Sequence, residues 1–185
     1  MEESKTKLRE RLVVLMMGPI TSEYQANAKD LIDKLNVLRS TEIVAHLQYK
    51  HHAYMAVSML LPGVKQEFLE HAQAEEKHAD MLGERIQQLG GIPVFKPEEI
   101  GAEARCQHVE AAEAPTLEGM IAEDLEVERA QIKAYTKLIR EVGFTDPTTR
   151  RVLEDVLQET ERHASELRDL LSRRSPVEEP PAARS

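Results

Sequence analysis

Glu42, Glu75 and Glu128 each fall where a helix should carry a core hydrophobe. At alternating spacings of three and four residues, Leu31, Leu35, Leu38, Glu42, Ala45 and Tyr49 form one stripe. Phe68, Ala72, Glu75, Ala79, Leu82, Ile86 and Leu89 form a second, and Ile121, Leu125, Glu128, Ile132, Tyr135 and Ile139 a third. On a fourth, Leu153, Val156, Leu157, Thr160, Ala164, Leu167 and Leu171 set the inward direction, with His163 about 60° from its centre on a helical wheel. His78 follows Glu75 by three residues and shares its face. A lone glutamate on a stripe is most often a surface residue slightly out of phase, and Glu-x-x-His alone is a weak signal in acidic helices. Coincidence on three helices is far less common.

Burying carboxylates without compensation costs several kcal/mol each, more than a domain can absorb. No Lys or Arg stands at these inward positions near the level of the glutamates, so the positive charge must come from elsewhere. Hard carboxylate oxygens with imidazole nitrogens and no thiolate select iron or manganese, with zinc as an alternative, and argue against calcium. Two divalent ions would offset about four carboxylates, which makes a dinuclear centre the natural stoichiometry.

Four helical patterns must position these groups, spanning 28–61, 64–89, 116–142 and 147–172. Pro62-Gly63, Gly90-Gly91 with Pro93, Gly143 and Asp146-Pro147 punctuate them. At 1.5 Å per residue each rod is about 35 to 50 Å long, and matched lengths argue for a bundle. The first two rods are joined by very few residues, as are the last two, so each pair forms an antiparallel hairpin. The stretch 91–115, with Pro93, Pro97 and Pro115, is long enough to run the height of the bundle. The expectation is an all-α chain with a bundle over 28–173, an N-terminal helical arm over 1–27 and a disordered Pro-rich tail over 174–185.

The 185 residues suit one substantial core. Aromatics are 4% and charged residues 31%, which favours helices over sandwiches or barrels. With 24 Lys and Arg against 33 Asp and Glu the net charge is −9, unfavourable to nucleic acid or anionic lipid and favourable to cations. The single cysteine, Cys106, permits neither an intrachain disulfide nor a cysteine-only zinc site and fits a reducing, cytoplasmic setting. Leu12 to Ile20 imitates a secretory signal, but Glu2, Glu3 and Glu10 spoil its basic flank and it is too short to span a membrane.

Around these positions the sequence resembles the bacterioferritins and the wider ferritin-like di-iron carboxylate superfamily. Leu35-Asn36, Glu42-Ile43-Val44-Ala45, Gln48-Tyr49 and His52-Ala53 are similar to the family's first helix. Glu75-Glu76-Lys77-His78-Ala79-Asp80 resembles the second, Asp124-Leu125 with Glu128 the third, and Glu159-Thr160-Glu161-Arg162-His163 the fourth. The resemblance covers about residues 30–171 and implies a ferritin-like four-helix bundle, two hairpins joined by one long crossover. It assigns Glu42, Glu75 and His78 to one metal, and Glu128 with His163 to the other, Glu75 and Glu128 bridging.

Three departures qualify the carry-over. Thr160 stands where the family has a glutamate three residues before the last histidine, so Glu159, about 40° from His163 on the wheel, is the expected sixth ligand, with Thr160, water or the nearly opposite Glu161 as rivals. Glu76 replaces the methionine that holds haem in bacterioferritins, so no such haem is expected. The chain passes quickly from the fourth helix into Ser175-Pro176, which favours a dodecamer or dimer over the large shell.

The function implied is a ferroxidase that stores iron, two irons per subunit oxidised by O2 or H2O2, with manganese as an alternative metal. A di-metal peroxidase or catalase, another di-iron oxidase, and a non-enzymatic scaffold or encapsulated cargo with a degraded site are the competing readings. Neither a nucleic-acid nor a membrane partner is expected. Tyr49 is a candidate hydrogen-bond donor at the centre or a plain core residue. His46 and His71 lie one turn from Glu42 and Glu75, and with His51 and His52 are expected to be exposed or satisfied more often than to be ligands. Cys106 reads as a packing thiol.

Overall fold

The computed structural model describes residues 12, 18–56, 62–105 and 116–173. The sequence-based arm over 1–27 falls mostly outside these, as do Cys106 and the tail over 174–185. Five helices follow one another: α1 (Ala28–Ala56), α2 (Pro62–Gln88), α3 (Pro97–Glu103), α4 (Leu117–Val142) and α5 (Pro147–Ser172). The four long ones correspond to the four periodic stretches. Where 28–61 was expected, α1 extends over Ala28–Ala56, and residues 57–61 lie outside those described. Pro62 opens α2, because a first-turn proline lacks only an amide that the helix would leave unpaired.

Helix ends follow from local chemistry. The Asn27 side chain accepts from the Asp30 amide at 3.2 Å, Thr116 caps α4 through the Gly119 amide, and Asp146 caps α5 through the Thr149 amide at 2.9 Å. Gly143 closes α4 at φ 53°, a left-handed backbone that side chains beyond glycine rarely adopt.

The closest packing is within the hairpins, α1 on α2 and α4 on α5, while α1 meets α4 and α2 meets α5 across the bundle. The crossover is strapped to α1. Arg39 donates to the Val94 carbonyl at 2.5 Å and lies over the Phe95 ring, Asn36 accepts from the Val94 amide, and Thr41 accepts from the Arg105 amide. The short helix α3 rides on α1.

Among the described residues two larger apolar clusters fill the interior, beside a small third of Val44, Ala45 and Val127. One joins Leu31, Leu35 and Leu38 to Leu82, Ile86, Tyr135, Leu138, Leu153 and Val156. The other joins Tyr49 and Ala53 to Phe68, Ala72, Met120, Ile121 and Leu167. Between them, at mid-height on all four long helices, the interior turns polar. Among the described residues no helix is long and apolar enough to cross a membrane.

Candidate metal centre

Glu42 from α1, Glu75 and His78 from α2, Glu128 from α4 and Thr160 and His163 from α5 are all fully buried in the layer between the two apolar clusters. Each apolar stripe carries one or two polar side chains at this level, and the four-helix arrangement brings those levels together. His78 Nδ1 lies 3.4 Å from Glu42 Oε2 and 3.8 Å from Glu75 Oε1. His163 Nδ1 lies 3.4 Å from the same Glu75 oxygen and 3.2 Å from Glu128 Oε1. Glu75 Oε1 therefore stands between the two imidazoles.

Outer partners hold these carboxylates in place. The Tyr135 hydroxyl donates to Glu42 Oε1 at 2.5 Å, the Tyr49 hydroxyl to Glu128 Oε1 at 2.6 Å, and the Gln131 amide to Glu75 Oε2 at 3.2 Å. Such contacts orient a ligand and leave its remaining oxygen for an ion. Glu42 Oε2, Glu75 Oε1, Glu128 Oε2 and the Nδ1 atoms of His78 and His163 are buried with no hydrogen-bond partner. Unsatisfied buried polar atoms are uncommon, and five of them converging call for a cation. Among the described residues three groups of donor atoms lie within 4.8 Å of one another: Glu42 with Glu75 and His78, Glu128 with His163 and His71, and, less buried, Glu67 with His71 and Glu166. Carboxylate oxygen mixed with imidazole nitrogen suits iron, manganese or zinc.

Burial dominates the electrostatics. It raises the Glu42 carboxyl to about 7, against the lowering effect of the neighbouring Glu75 carboxyl and of the hydrogen bond from Tyr135. It raises Glu75 to about 8, with the charge of Glu42 pushing the same way, and lifts Glu128 well above the carboxylate range, with Glu75 adding to the shift. His71 is lowered to about 4, first by burial and then by neighbouring His163, so its ring is neutral.

Glu159 is placed differently from its expected role as sixth ligand. Its carboxylate faces α2, 3.1 Å from His78 Nε2, is part-exposed, and also meets Arg162 at 3.3 Å. One residue before Thr160 is a rotation of about 100° around the helix, which turns Glu159 to the α2–α5 seam. Burial alone would raise its carboxyl, but His78 with Lys77 and His163 outweighs that and draws it down to about 2. The Thr160 hydroxyl donates back to the Val156 carbonyl at 3.0 Å, and Glu161 is exposed.

His71 joins the cluster although the sequence favours a satisfied or exposed histidine there. Its signal was the spacing His71, Glu75, His78, one face of one helix. His46 and His52 are the satisfied kind: His46 Nδ1 donates to the Ala72 carbonyl at 2.7 Å and His52 Nδ1 pairs with Asp124 at 2.9 Å.

The sequence matches the ferritin-like domain family over residues 32–175. A nutrient stress-induced DNA-binding protein of Synechococcus is 28% identical over 143 residues, 77% of this chain and 81% of the relative. A DNA protection during starvation protein of Halobacterium salinarum is 29% identical over 147 residues, 78% of this chain and 79% of the relative. Among solved structures, a dodecameric thioferritin, the bacterioferritin-related protein of Bacteroides fragilis, superposes with a TM-score of 0.76 at 28% identity, covering 89% of this chain and 94% of that one. The all-α bundle, its crossover and this match over most of the length place the chain in the ferritin-like domain family.

Proposed function

We propose that the protein takes up two Fe(II) ions as substrate in the buried layer, oxidises them with O2 or H2O2 and passes the ferric product into the interior of a homo-oligomer. The observation that carries this reading is the convergence of partnerless buried oxygens and nitrogens from four helices. Glu42, Glu75 and His78 would hold one iron, and Glu128 and His163 the other, with Glu75 Oε1 shared. Each Fe(II) gives up one electron. O2 accepts the two together with two protons and leaves as H2O2, or H2O2 accepts them with two protons and leaves as two waters.

The chain's own groups bind, orient and exclude water. Tyr135 and Gln131 hold one oxygen of Glu42 and of Glu75 and leave the other beside His78, while Tyr49 holds the Glu128 oxygen that approaches His163. The apolar clusters above and below restrain side reactions. A dodecameric relative supports assembly of this chain into a closed oligomer, with the Leu47 and Tyr54 side chains of α1 left for contacts between copies.

Anaerobic Fe(II) titration followed by an oxygen pulse tests the proposal. Two irons oxidised rapidly per chain, lost in Glu128→Ala, support it. Absence of oxygen-dependent absorbance after Fe(II) addition contradicts it and favours the scaffold reading. Rapid loss of H2O2 without iron deposition would favour a di-metal catalase.

A further inference from the structure

His71 and His78 lie seven residues apart on α2, and Glu159 and Glu166 seven apart on α5. The two helices run antiparallel here, so each histidine meets one glutamate: His78 Nε2 reaches Glu159 Oε2 at 3.1 Å and His71 Nε2 reaches Glu166 Oε2 at 3.1 Å. Arg162 braces Glu166 through 2.7 and 2.9 Å contacts. In both pairs the opposite ring nitrogen, Nδ1, is buried and without a partner. A carboxylate on one imidazole nitrogen fixes the tautomer and presents the other as a lone pair to a metal. The His71 pair repeats the His78 pair two turns away.

The His71 ring stacks on that of His163 at 4.1 Å between centroids, and its donor atom clusters with those of Glu128 and His163 within 4.8 Å. On the same side Thr160 offers only a hydroxyl already bonded to the Val156 carbonyl, and Glu159 is committed to His78. Resting on the dinuclear reading above, we propose that His71 is a ligand of the second metal position, in the place a carboxylate at Thr160 would occupy, with Glu166 fixing its ring.

The substitution has a chemical consequence. Three carboxylates and three imidazoles around two divalent ions leave an excess positive charge that a fourth carboxylate would cancel. A neutral nitrogen holds a trivalent ion less firmly than a carboxylate does, so this position favours the reduced ion and releases the oxidised one. That suits a centre that passes iron onward.

Anaerobic Co(II) titration, followed by calorimetry and by visible ligand-field absorption, tests the assignment without reference to turnover. The wild-type chain is expected to take two ions. His71→Ala is expected to keep one ion at full affinity and to bind the second more than about 10-fold more weakly, and Glu166→Gln to weaken the second alone by about 10-fold. If His71→Ala is too unstable to titrate, Glu166→Gln decides. Two ions bound with unchanged affinity in these variants, or equal loss of both, overturn the role of His71. A wild-type chain that binds fewer than two ions overturns the dinuclear reading itself.

Discussion

Metal uptake by this centre is a contest with protons. Burial lifts Glu42 to about 7 and Glu75 to about 8, so the metal-free protein keeps protons in the cluster at neutral pH. An ion must expel them. Zn(II) addition monitored with an indicator dye should release more protons per chain at about pH 6 than at about pH 9, and affinity should climb through the interval between. Stability carries the opposite sign in the metal-free protein. Raised folded-state values mean that the contribution of these groups is full below the unfolded value of 4.5 and lost as pH rises through about 7 and 8. Thermal scans should therefore show this contribution fading from about pH 4.5 to 8, and Glu75→Gln should flatten the trend. At this scale the sequence revealed the inward carboxylates, because a glutamate in a leucine stripe is visible in one dimension. It did not separate Glu159 from Thr160 or promote His71, because both depend on how α5 is rotated against α2.

Between the helices, one polar hub at the bundle's end does the joining. Asp146 caps α5, receives the Thr149 hydroxyl and amide, accepts two bonds from Arg85 of α2 at 3.0 and 2.9 Å, and takes the Tyr24 hydroxyl at 2.8 Å. Burial alone would raise its carboxyl, but these donors outweigh it and hold it below 3.8. The stability it supplies is present above that unfolded value and lost as pH falls through the lower folded one. Asp146→Asn should cost about 2 to 4 kcal/mol in urea denaturation, by weakening a cap and leaving the buried Arg85 charge uncompensated. It should also remove part of the acid-side loss of stability. Asp146-Pro147 was legible as a helix start, whereas its tie to Arg85 joins residues 61 positions apart and carries no local pattern. The short α3 was likewise missed, since seven residues inside a Pro-bearing connection give too little periodicity to read.

As a whole the molecule presents a net charge of −9 and isolated apolar side chains, Leu47 at 56% and Tyr54 at 63% exposure, two turns apart on α1. Contact between copies would cover them. Sedimentation should find an oligomer that Leu47→Glu with Tyr54→Glu dissociates, and a wild-type monomer at tens of micromolar would contradict this. The names of the Synechococcus and Halobacterium relatives raise DNA as a partner, while the charge of this chain opposes it. A gel shift in low salt should show no retained duplex. The two-hairpin topology was legible from loop lengths alone, because two short connections and one long one admit few arrangements. The most direct test of the account is anomalous diffraction from a crystal soaked anaerobically in Fe(II). It should show two iron peaks about 3.5 to 4 Å apart beside Glu75, between α1, α2, α4 and α5. Iron confined to the surface, with that buried layer vacant at saturating Fe(II), would contradict it.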